Sequence, residues 1–170
     1  MVLVGAAIAI FAAFLPWFEI TAGIGVSQSA QKISGFSRFA IFGVLSSLFA
    51  VAGGGLLVRE IATGKKSFLS IKNEVLQMGF FLEAIFTLLI SFFIFASFFR
   101  DFSRAEFRFG IFLSLVAHIT AFLGAYFSFA EIQKAETKSQ LQSLSDEDLQ
   151  KLNLQPEVPE EQMSLGETEN

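Results

Sequence analysis

The chain has 170 residues, more than half of them hydrophobic, and 23 are Phe against one Trp and one Tyr. Its net charge of −4 averages two unlike regions: nine Lys and Arg against six Asp and Glu from Met1 to Ala130 (+3), then three against ten from Glu131 to Asn170 (−7). This composition excludes an ordinary soluble core, and the absence of Cys excludes disulfides and thiolate metal sites.

The first apolar run, about residues 2–18, contains no Lys or Arg. It lacks the basic flank of a cleaved leader and is expected to remain as a spanning helix. It ends in FLPWFEI, Phe14 to Ile20, where Pro16 is tolerable at the end of a span and Trp17 suits the headgroup level as an interface anchor. The connector that follows, ITAGIGVSQSAQKISGFSR, is rich in Gly and Ser; its TAGIGVSQSA portion alternates weakly and reads as a short hairpin in preference to a loop.

A second span covers about residues 36–58 and ends in Gly53-Gly54-Gly55. A polar connector then supplies Arg59, Lys65, Lys66 and Lys72. Arg59, Lys65 and Lys66 read as interface anchors that also suit anionic headgroups. The third span, about residues 75–99, is broken by one charge, Glu83, and has Phe on nearly every side, as wide exposure to lipid or to partner helices requires. A tight turn, RDFSRAEFR, leads to a fourth span, about residues 109–130, which holds the only histidine, His118. At about 1.5 Å per residue, each run crosses a hydrocarbon core of about 30 Å.

Beyond Ala130, EIQKAETKSQLQSL continues the helix with Glu131, Lys134 and Lys138 placed to pair across a turn. Ser145 with Asp148 three residues on marks a second helix start, and from Pro156 the acidic, weakly hydrophobic end is expected to be disordered. The expected fold is therefore an all-α integral membrane protein. It comprises a four-transmembrane-helix bundle over residues 1–130 and a cytoplasmic, partly helical and partly disordered acidic C-terminal tail over residues 131–170.

Four spans place both termini on one face. Six basic residues near span ends lie on that face against five on the other, a slight lean to cytoplasmic termini. FLPWFEI, the Gly/Ser stretch and the SGF that opens the next helix together resemble a pattern found in many small four-span inner-membrane proteins of bacteria, most of them uncharacterised. The resemblance covers about residues 14–36 and implies a bacterial cytoplasmic membrane, an outward-facing segment after the Pro-Trp, and termini inside; it implies no activity. Claudins share the helix count and an exported first loop, but this loop is short and lacks their cysteine pair.

Glu83 and His118 are the candidate intramembrane polar pair, because ionisable groups inside a bilayer are costly and mark pathways or relays. They serve either as a protonatable pair in an ion path or as structural glue, a neutral Glu bonded to His118, Thr87 or Thr120. The structural role is favoured, since one acid and one histidine make a thin relay. A third possibility is that Glu83 faces a helix of another subunit. Small residues recur at four-residue spacing: Gly5, Ala9 and Ala13; Ser46, Ala50 and Gly54; Ala117, Ala121 and Ala125. Such rows let helices approach closely, and packing inside one bundle is favoured over a dedicated dimer face.

No Gly-rich phosphate loop, GxSxG or metal-spaced cluster occurs, and one His cannot build a zinc site. No catalytic residue, cofactor, metal or nucleic-acid partner is expected. The expected partners are the lipid bilayer, other membrane subunits and, for the acidic tail, a basic cytoplasmic protein. The expected function is that of a non-catalytic accessory or scaffold subunit of a larger membrane complex; the alternative is a component of a small oligomeric transporter or channel using Glu83 and His118.

Overall fold

The computed structural model of the protein describes residues 1–22, 29–37, 41–99 and 104–153. Compact contacts divide the chain into Met1–Ala130 and Glu131–Asn170. Among the described residues, helices α1 (Val2–Phe14), α2 (Ile41–Thr63), α3 (Asn73–Phe99) and α4 (Phe109–Asn153) are joined by short strands. Those strands are β1 (Pro16–Ala22), β2 (Ser29–Ser34), β3 (Ser67–Phe68), β4 (Ile71–Lys72) and β5 (Arg104–Phe107). Three helices are long and apolar enough to cross a membrane, within Ile41–Thr63, Asn73–Ser97 and Phe109–Gln142, and α1 is a shorter apolar helix of 13 residues. The chain is a mostly helical integral membrane protein.

Small side chains set how closely the helices approach. A Cβ on Gly5 would lie 2.7 Å from the Ala117 carbonyl oxygen and 2.8 Å from the Cβ of Ala121, so α1 touches the backbone of α4 there. Ala9, Ala50 and Ala117 form one buried layer, and Ala6 and Ala121 join Phe81 in the next. Gly54 faces Ala6, and Gly53 faces the Phe81 ring. The expected rows therefore lie inside the bundle: Gly5, Ala9 and Ala13 on α1, Ser46, Ala50 and Gly54 on α2, and Ala117, Ala121 and Ala125 on α4 are all buried. Close approach and the dispersion contacts it permits, more than any hydrophobic drive, hold helices together where the solvent is itself apolar.

The all-α expectation is corrected by a three-stranded antiparallel sheet, ordered β2-β1-β5, at the bundle end where α1 stops. The first span is not helical to residue 18. Its helix ends at Phe14, because a residue before proline is pushed out of the helical region, and Leu15 has ψ of 159°. Pro16 to Phe18 continues as strand, and its ladder partners in β2 and β5 satisfy backbone groups that could not face lipid. The hairpin is real but begins earlier than TAGIGVSQSA, with Pro16 opposite Ser34 and Ala22 opposite Ser29; residues 23–28 lie outside the described residues.

The turn expected over residues 100–108 contains β5, which pairs Phe18 with Phe107 and Thr21 with Arg104. Residues 100–103 lie outside the described residues. Gly35 and Phe36 form a turn, so α2 is described from Ile41 and not from residue 36, and it runs on past Val58 to Thr63. It stops at Gly64, whose φ of +67° and N–H to the Glu60 carbonyl at 2.8 Å make a left-handed cap. α3 starts two residues before the expected Val75. The helix break expected at Ser145 is absent, since α4 runs from Phe109 to Asn153 without interruption and its flanking residues are good helix formers. The stretch expected to be disordered, from Pro156 onward, lies outside the described residues.

Candidate functional site

His118 is fully buried between α4 and α2. Its Nδ1 lies 2.7 Å from the Ser114 carbonyl oxygen, an acceptor only, so Nδ1 carries a proton and donates. Nε2 is then free to accept from the Ser46 hydroxyl at 3.2 Å. Ser114 is one turn before His118 on α4, so sequence spacing alone sets the first bond. The second depends on α2 and α4 being close enough for small residues to meet. The T-shaped Phe81 ring, with its centroid 6.5 Å away, faces the imidazole from α3.

Glu83 is placed elsewhere. Phe81 occupies the inner side of α3, fully buried, whereas Leu82 and Glu83 are exposed on its outer side. Two residues along a helix turn the chain by about 200° at 3.6 residues per turn, which is why Phe81 meets His118 and Glu83 does not. Glu83 has no hydrogen bond or ion pair among the described residues. The structure thus separates the two candidate ionisable groups, one inside the bundle and the other on its rim.

Charges collect at both ends of the bundle. At one end Asn73, fully buried, donates Nδ2 to a Glu60 carboxylate oxygen at 3.0 Å and to the Lys65 carbonyl at 2.8 Å. Arg59 donates to the Ser67 carbonyl at 3.3 Å and sits with its guanidinium carbon 5.0 Å from the Phe68 ring centroid. Lys65 and Lys66 are exposed there. At the other end Glu19 and Glu106 are directly paired across β1 and β5, and Arg108 bridges them at 2.9 Å and 3.1 Å.

Trp17 departs from the half-wet anchor that its position at the end of a span implies. It is fully buried, and its indole N–H donates to the Ala12 carbonyl at 2.8 Å. Gly35 and Gly110 flank it, each so near that a Cβ would lie 2.7 Å from the indole. The ring closes the sheet end of the core with Phe18, Leu88, Phe95 and Ile111. The signal that would have revealed this was the pairing of PW with a later SGF, whose glycine makes room for the ring.

Among the described residues no three His, Asp or Glu side chains gather as a metal site would need. In comparisons with protein-family models, characterised proteins and solved structures, nothing matches this chain.

Proposed function

We propose that the protein is a non-catalytic accessory or scaffold subunit of a larger membrane assembly. It forms a four-span bundle in a bacterial cytoplasmic membrane, with both termini and the acidic tail on the cytoplasmic side. In this topology α1 and the first residues of β1 together make the first crossing: the helix supplies about 20 Å and the strand the remainder.

One observation carries the proposal: Glu83 and His118 are held apart, with His118 satisfied by two serines in a small-residue core and Glu83 turned outward without a partner among the described residues. An ion path through one copy would need ionisable groups in series facing an interior cavity. Here the layer beside His118 is filled by Ala9, Ala50 and Ala117. An outward carboxyl fits a subunit whose rim is covered in its working state.

The test is purification of the tagged chain from its native membrane in mild detergent, followed by mass spectrometry. Other subunits in fixed ratio are the expected result. A lone chain, or a homo-oligomer whose ion flux collapses on Glu83→Gln, overturns the proposal in favour of a small oligomeric transporter.

A further inference from the structure

In the topology proposed above, Glu83 lies inside the hydrocarbon core, between the polar cluster at one end of the bundle and the sheet at the other. Ten residues separate it from Asn73, where Glu60, Arg59 and the lysines gather, and twelve separate it from Phe95, whose ring stacks on Phe18 of the sheet at 3.7 Å. At about 1.5 Å per residue these are about 15 Å and about 18 Å, the two halves of a hydrocarbon core of about 30 Å.

Its neighbours on the outer side of α3 are Gly79, Leu82 and Phe86, at helical spacings of four, one and three. Leu82 and Phe86 are 56% and 61% exposed, and a Cβ on Gly79 would meet nothing within 4 Å. The surface is therefore a notch at Gly79, one turn from an acid, between two apolar side chains. In hydrocarbon that acid is costly when charged, and when neutral it still leaves an O–H and a C=O without partners. A neighbouring cation that also donates hydrogen bonds offsets part of both costs, and a cation already placed in the bilayer gains equally from the carboxylate.

This chain cannot supply that cation to itself or to a second copy. From Val2 to Phe14, Ile41 to Val58, Val75 to Phe99 and Phe109 to Ala130 there is no Lys or Arg, and His118 is buried. A second copy could bring no cation to Glu83, only apolar surface, another carboxyl or a hydroxyl such as that of Thr120. Resting on the subunit function proposed above, we infer that the Gly79–Glu83–Phe86 face of α3 docks a transmembrane helix of a different protein, one carrying a Lys or Arg at mid-depth. Gly79 admits the close approach and Glu83 fixes depth and identity.

The experiment uses the purified full-length chain in phosphatidylcholine vesicles with labelled Leu/Ala host peptides that span the bilayer and differ only in their central residue, Lys, Leu or Glu. Energy transfer from the labelled chain reads association. The Lys peptide is expected to associate about tenfold more strongly than the Leu peptide. Glu83→Gln should bring it to the level of the Leu peptide, and Glu83→Lys should shift the preference to the Glu peptide. Emission of Trp17, the only tryptophan and fully buried, reports that each variant is folded.

Equal association of Lys and Leu peptides with the folded wild-type chain overturns the inference, as does self-association of the chain that Glu83→Gln abolishes. The two levels fail separately. A fixed-ratio native complex that survives Glu83→Gln, with peptides that do not discriminate, keeps the subunit function and removes this interface. A chain that purifies alone while preferring the Lys peptide does the reverse.

Discussion

Trp17 on β1 and Gly35 in the turn after β2 are in contact, and the indole ring occupies the space where a side chain on Gly35 would stand. The contact gives a physical reason for a Pro-Trp at the end of one helix to be accompanied by SGF before the next. Gly35→Ala should destabilise the bundle by about 1–3 kcal/mol, because the new methyl meets a ring fixed by its own bond to Ala12 and by Gly110 on its other side. A red shift of Trp17 emission, measured along a denaturant titration, reports the displacement.

The same logic separates two other glycines. Gly5→Ala puts a methyl against the Ala117 carbonyl at 2.7 Å and should cost about 1–3 kcal/mol. Gly55→Ala meets nothing within 4 Å and should be neutral or stabilising by about 0.5–1 kcal/mol, the ordinary gain of alanine over glycine in a helix. Unfolding in mixed micelles ranks the two; equal effects would show that α1 and α4 do not touch at Gly5.

His118→Ala should remove about 2–4 kcal/mol, since it opens a cavity in the core and leaves Ser46 and the Ser114 carbonyl without the imidazole. Glu83→Ala should leave the isolated bundle within about 0.5 kcal/mol of the wild type. Combined, the two changes should add, with coupling near zero. A coupling energy above about 0.5 kcal/mol would mean that the pair interacts after all.

Arg108 stands between two carboxylates that β1 and β5 place side by side. Arg108→Ala should cost about 1 kcal/mol, kept modest by the 41% exposure of its side chain, and Glu106→Gln in that background should recover part of it by removing the like-charge contact with Glu19. Amide exchange of β1 and β5 reads both steps locally.

Deletion of residues 131–170 should leave the unfolding of the bundle unchanged, because Met1–Ala130 forms a compact unit by itself. Loss of co-purifying proteins on that deletion is the outcome expected of a docking tail, and full retention would assign docking to the helices alone.

The long apolar runs were legible because length and absence of charge are local properties. The weak alternation after FLPW showed the hairpin but not its third strand, because Phe18 pairs with Phe107 far along the chain and β5 is only four residues, with two charges among them. Nor could the sequence show which way Glu83 points. In a soluble helix a polar stripe marks the outside, but α3 turns Gln77, Thr87 and Ser91 inward beside Phe81 and sets Glu83 outward beside Phe86, so the soluble rule misreads both sides of this helix. Trp17 was misplaced for a related reason: the rule for aromatic residues at span ends describes rings at the lipid boundary, and this ring turns inward because two glycines leave room for it.

The shared middle strand has a consequence for synthesis. β1 emerges from the ribosome early and can pair at once with β2, but its other edge stays bare until Arg104–Phe107 is made, after α2 and α3. Arg108, 89 positions after Glu19, arrives with that strand to neutralise an acid that has waited since the first helix was inserted. Closing the sheet therefore ties the connector that follows α1 to the one that precedes α4, a link that cannot form until the chain has been made through β5.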